Sequence, residues 1–228
     1  YYPDFAQRKV LTGFDGDRPL LRAPTRQVTV QQLITHTAGL SYSFFNQDLL
    51  KWEQVTNYVG ILSGETELLQ SPLMFDPGDR FEYGLNIDVL AVVISNITGK
   101  KLDVHLADAI LKPLGMRSTS YHKRDVDESK ITPIQARGPD GKWVDTGVDY
   151  AQNPALIPGG HGLCSTPNDY MRFQRALLRG GELDGARILQ QKTVDAAFSN
   201  QIGALEFPPT ISTANPTLTC DFSAGPGL

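Results

Sequence analysis

Hydrophobic positions along the chain fall at helical spacing in four stretches and lose that spacing between them. Val30, Leu33 and Ile34 follow Thr29-Val30-Gln31-Gln32, which reads as a capping box, and Gly39 stands where a helix C′ residue is expected. Leu49, Trp52, Val55, Val59 and Leu62 predict a helix from Gln47 to about Leu62. Val89, Leu90, Val93, Ile94 and Ile97 form a broad apolar face behind Asn86, the expected cap, with Gly99 as the stop. A further helix is expected over Leu102–Leu111, ahead of Pro113 and Gly115.

From Met116 to about Tyr150 the helical period disappears, and short extended pieces such as Lys142-Trp143-Val144 sit between turn residues. Pro158-Gly159-Gly160-His161-Gly162 is a backbone-permissive loop. Thr166-Pro167-Asn168-Asp169 places an N-cap, an N1 proline and an acidic residue together, with Asp169 expected in a capping role. The helix after it carries Phe173, Leu177 and Leu178 up to Gly180-Gly181. Residues 1–26 are breaker-rich and mixed, Phe81-Glu82-Tyr83 is short and extended, and the stretch from Gly203 on is turn-rich.

Composition narrows the function classes. The 21 Lys and Arg against 25 Asp and Glu give a net charge of −4, without the basic excess that nucleic-acid binding requires. No apolar run approaches the roughly 18 residues of a membrane span. Tyr1–Phe5 has neither the basic start nor the apolar stretch of a signal peptide, and the compartment stays open. Cys164 and Cys220 make no disulfide framework, although one bridge is possible. His36, His105, His122 and His161 have no metal-ligand spacing, so neither metal nor cofactor is expected. His36 reads as a structural residue in the last turn of its helix, meeting free carbonyls.

The common nucleophile motifs are missing: there is no G-x-S-x-G, no H-E-x-x-H and no Walker loop. One S-x-x-K occurs, Ser120-Tyr121-His122-Lys123. That spacing brings Ser and Lys together only on a helix, and here it follows helix-stopping residues, so it reads as coincidence.

Three segments taken together carry a resemblance. Leu33-Ile34-Thr35-His36-Thr37-Ala38-Gly39-Leu40, Phe81-Glu82-Tyr83-Gly84-Leu85-Asn86, and Gly159-Gly160-His161-Gly162-Leu163-Cys164-Ser165-Thr166 with Asp169-Tyr170 and Arg172-Phe173 resemble motifs of the serine β-lactamase and penicillin-binding-protein-like superfamily. Within it, the pattern resembles the class C β-lactamase-like esterases and transesterases. The resemblance implies an α+β, β-lactamase/transpeptidase-like fold of which residues 1–228 are an internal portion. Residues 27–115 would form mainly the helical region, 116–158 an irregular part, 159–200 the glycine loop and helices, and 201–228 a loop towards further strands. Most of the central antiparallel sheet is then expected outside this chain.

The resemblance also implies a serine acyl hydrolase, a carboxylesterase or acyltransferase working through an acyl-enzyme on a small ester or amide. Its Ser–Lys pair is expected upstream, since residues 1–24 contain no serine, and a basic strand motif downstream. Tyr83 takes the place of the catalytic tyrosine. Leu85 stands where true class C β-lactamases carry an Asn, and leucine offers a substrate amide no hydrogen bond, which favours esters. Gly160, His161 and Tyr42 are the further candidates for lining the substrate site. Three alternatives stay open: a non-catalytic binding relative on the same scaffold, a true β-lactamase, and a D-amino peptidase.

Overall fold

The computed structural model describes residues 1–152 and 154–207, together with the backbone of 210–211 and 220–221. An N-terminal hairpin, β1 (Val10–Asp15) and β2 (Arg18–Arg22), precedes the helices. Its sequence is too rich in turn and charged residues to announce strands, because both ends are held by contacts distant in sequence. The Leu11 amide donates to the Leu73 carbonyl at 2.8 Å, and the Leu73 amide to the Lys9 carbonyl at 2.9 Å. Arg22 grips Asp76 in a bidentate pair at 2.9 and 2.7 Å. That pair holds the Asp76 carboxyl below the usual carboxylate range.

Helix α1 (Val30–Ile34) begins on the expected capping box: Thr29 Oγ1 accepts from the Gln32 amide, and Gln32 Oε1 from the Thr29 amide. It ends earlier than Gly39. His36 takes the left-handed C′ position at φ 55°, with the Thr37 amide returning to the Gln32 carbonyl in a Schellman closure. Helix α2 (Gln47–Thr56) likewise stops short of Leu62, at left-handed Asn57. Helix α3 (Asn86–Thr98) ends at Gly99 as expected, but its N-cap is Leu85 and Asn86 is the first helical residue. Helix α4 (Leu102–Leu106) continues into a wider turn over Ala107–Leu111.

The main core joins these pieces. Leu33 of α1, Val89 and Val93 of α3, and Leu40, Leu68, Leu73, Leu85 and Leu156 of the connecting segments are all buried in one cluster. Among the described residues, 116–158 carry two short 3-10 turns (Lys123–Asp125 and Glu128–Lys130) and an exposed hairpin, β3 (Gln135–Arg137) with β4 (Trp143–Asp145), in otherwise irregular chain. Helix α5 (Pro167–Leu178) starts on Thr166, whose hydroxyl accepts from the Asp169 amide. The Asp169 carboxylate does not cap. It is buried and accepts from the Ser118 amide at 2.7 Å and the Thr119 hydroxyl at 2.8 Å, tying α5 to the segment after Gly115. A two-residue hairpin, β5 (Glu182–Leu183) and β6 (Ala186–Arg187), precedes α6 (Gln191–Ala197).

Strands β7 (Thr210–Ile211) and β8 (Cys220–Asp221) also pair. The rest of the 201–228 segment beyond Phe207 lies outside the described residues. Among the described residues no sheet exceeds two strands, and no helix is long and apolar enough to cross a membrane. Cys164 is a free thiol, and the side chain of Cys220 lies outside the described residues.

Candidate functional site

Backbone pairing places Tyr83. The turn after α1 runs alongside residues 74–82: the Met74 amide donates to the Gly39 carbonyl, the Gly78 amide to Thr37 and the Glu82 amide to His36. A Cβ on Gly84 would stand 2.4 Å from Ser41 Cα, so the chain passes here only as glycine. Tyr83, one residue earlier, is turned outward and is 42% exposed.

Its ring is walled by aromatic neighbours. The centroids of His36, Tyr42 and Phe45 lie 4.5, 5.6 and 6.1 Å away, the last two edge-on. His36 therefore belongs to the tyrosine wall instead of the last helical turn. Burial lowers its pKa to about 4, so at neutral pH its imidazole carries no charge. Its Nδ1 lies 3.1 Å from Asn86 Nδ2. Asn86 is thus engaged by His36 and not by the helix start, while its own Oδ1 is buried without a partner among the described residues.

The other candidates divide. Tyr42 is only 7% exposed, stacks on Phe44 at 4.9 Å and points its hydroxyl at Asp88 Oδ2, 3.5 Å away. Burial, then the Asp88 charge, pushes that hydroxyl's pKa well up, so it remains a proton donor. Leu85 is 2% exposed and packs in the main core. Neither side chain offers surface to a ligand in this structure, because both are consumed in packing Tyr83 and α3. Gly160 is solvent-exposed, but its Cβ direction meets Asp88 and Tyr42. His161 is half-buried against Tyr150, at 5.5 Å between centroids, and burial lowers its pKa. It lines a small open hollow with Leu62, Tyr121 and Pro158.

The S-x-x-K residues do not lie on an α-helix, and each side chain is engaged by a different carboxylate. Ser120 donates to Asp125 and Lys123 to Asp149. Sequence reasoning missed Asp88 altogether. A carboxylate in the first turn of a helix is an ordinary complement to the helix dipole, and only the fold shows that this one is fully buried.

Monacolin J acid methylbutanoyltransferase of Aspergillus terreus is 30% identical over 206 residues, 86% of this chain and 48% of that protein. Lovastatin esterase of Penicillium rubens is 28% identical over 211 residues, 88% of this chain and 51% of that one. The chain thus spans about half the length of the curated relatives it matches. Among solved structures, a mutant of simvastatin synthase from Aspergillus terreus superposes with a TM-score of 0.73 at 30% identity, covering 90% of this chain and 47% of the other. A penicillin-binding protein homologue from Pyrococcus abyssi shares the fold at 18% identity, with a TM-score of 0.58. Since residues 5–212 match the Beta-lactamase family model, the chain belongs to the Beta-lactamase family, whose serine β-lactamase and penicillin-binding-protein-like fold it shares.

Proposed function

We propose that this chain forms part of a serine acyl hydrolase or acyltransferase in which Tyr83 takes the proton of a nucleophilic serine. The serine and its lysine are supplied by sequence preceding Tyr1. In the reaction, serine Oγ attacks the ester carbonyl, Tyr83 accepts the hydroxyl proton, and that proton passes to the departing alcohol. Water or an acceptor alcohol then releases the acyl group by the reverse exchange. An ordinary tyrosine ionises near pH 10, so the base role requires the field of a neighbouring cation. Neutral His36 does not provide it, and the lysine of the serine pair does.

The single observation that carries this reading is the setting of Tyr83: an outward-facing phenol whose ring is fixed on one side by His36, Tyr42 and Phe45. The relatives that are esterases and acyltransferases support ester chemistry over lactam hydrolysis. The test is intact-mass analysis of the full-length protein mixed with p-nitrophenyl acyl esters, run beside a β-lactam. The reading expects a covalent acyl adduct on one serine and turnover of the esters well above that of the lactam. No adduct and no ester turnover would leave a binding protein on the same scaffold.

A further inference from the structure

Asp88 is the third residue of α3 and is 0% exposed. Its Oδ1 accepts from the Gly160 amide at 3.0 Å and its Oδ2 faces the Tyr42 hydroxyl at 3.5 Å. The glycine loop sits hard against this turn. A Cβ on Gly159 would stand 2.3 Å from the Ile87 carbonyl oxygen, and one on Gly160 would stand 3.1 Å from both Asp88 Oδ2 and the Tyr42 hydroxyl. The Tyr121 hydroxyl holds the other end of the loop through the Pro158 carbonyl at 2.9 Å.

The N-terminus of α3 favours an acidic residue in its first turn, but an exposed side chain satisfies that preference as well, so it does not account for a buried one. Burial pushes the Asp88 carboxyl up, and the opposing influences are the Gly160 and Gly159 amides, the nearby His161 and the Tyr42 hydroxyl. None of these is a lysine or arginine. A carboxylate buried against such donors is a costly way to fill space. What it supplies is two acceptors in a fixed fork, one for a loop amide and one for a phenol. Tyr42 in turn stands edge-on to Tyr83.

We propose that Asp88 is a positioning residue: through the Gly160 amide and the Tyr42 hydroxyl it fixes the His161-bearing loop against the aromatic wall that holds Tyr83. Asp88 acts through these groups and does not touch substrate. The kinetic consequence rests on the acyl-transfer reading, and the placing of the loop does not.

The test uses the full-length protein and two readouts. Asp88→Asn keeps the volume and replaces one acceptor oxygen with an amide donor. Ester kcat is expected to fall roughly 10- to 100-fold, as for a small misplacement of reacting groups, while KM stays within about threefold. Hydrogen exchange across residues 157–163 is expected to quicken about tenfold, with α5 unchanged. Tyr42→Phe keeps the ring and loses only the hydroxyl, so it gives a smaller kcat loss in the same direction and answers the question if Asp88→Asn fails to fold. Wild-type kcat with unchanged loop exchange overturns the proposal. A loss confined to KM, or exchange quickened throughout the protein, overturns it equally. If the wild type turns over no ester, the acyl-transfer reading falls alone, and loop exchange still decides whether Asp88 holds the loop.

Discussion

Leu85→Asn separates two accounts of position 85. On the motif alone, asparagine there restores a hydrogen bond to a substrate amide. In the structure Leu85 is 2% exposed, at the N-cap of α3, clustered with Leu33, Leu40 and Val89. The substitution forfeits the burial of a leucine, about 1.5–3 kcal/mol. It also buries an amide among apolar side chains, and at φ −63°, ψ 11° the position lacks the extended backbone from which a capping Asn reaches the first-turn amides, so this costs about 1–3 kcal/mol more. The expected loss is roughly 2.5–6 kcal/mol, against about 2–5 for Leu85→Ala and under about 1.5 for volume-conserving Leu85→Met. Urea unfolding of the full-length protein, followed by far-UV circular dichroism, measures all three. Hydrolysis of a cephalosporin by Leu85→Asn should not rise above wild type. A loss under about 1 kcal/mol, or a clear gain of cephalosporin hydrolysis, would show that the side chain reaches the cleft and refute the core placement.

Three further outcomes follow from particular contacts. The His36 pKa is lowered from 6.5 to about 4 by burial, so the unfolded chain binds the proton first and stability is lost as pH falls through that window. His36→Asn, which also tolerates the left-handed backbone, should flatten the fall of Tm between pH 6.5 and 4, leaving a smaller slope from His161. An unchanged slope counts against a buried neutral imidazole. Ser120→Ala and Lys123→Ala should each leave ester turnover within about twofold of wild type, since the two side chains engage Asp125 and Asp149 and not one another; a large loss in either would revive that pair as a nucleophile. Asp169→Ala, which strands the Ser118 amide and leaves the Thr119 hydroxyl only Ser165, should cost roughly 1–3 kcal/mol in denaturant unfolding, and no loss would mean that the Ser118 amide finds another partner.

What the sequence disclosed was local. The capping box at Thr29, the Thr166 cap with Pro167, and the glycine stops at Gly99 and Gly180 depend on neighbours within a few residues, and the structure keeps them. Helix ends set by tertiary fit were not legible: α1 closes on left-handed His36 because residues 36–39 must turn to pair with 74–82. The β1–β2 hairpin was hidden for the same reason, being pinned by Leu73 and Asp76, more than fifty residues away. At the site, the three-segment pattern pointed to Tyr83, whereas the inward packing of Tyr42 and Leu85 left no trace in spacing. Asp88 was hidden because a first-turn acidic residue looks the same whether solvated or buried.

Tyr83 is the residue on which the proposed acyl transfer depends, and steady-state ester kinetics of full-length Tyr83→Phe measure that dependence. The substitution removes one oxygen and keeps the ring packed against His36, Tyr42 and Phe45. With a p-nitrophenyl ester as substrate, kcat should fall by roughly 10²–10⁴ while KM changes little, the range for loss of a general base. Near-wild-type kcat in Tyr83→Phe would contradict it.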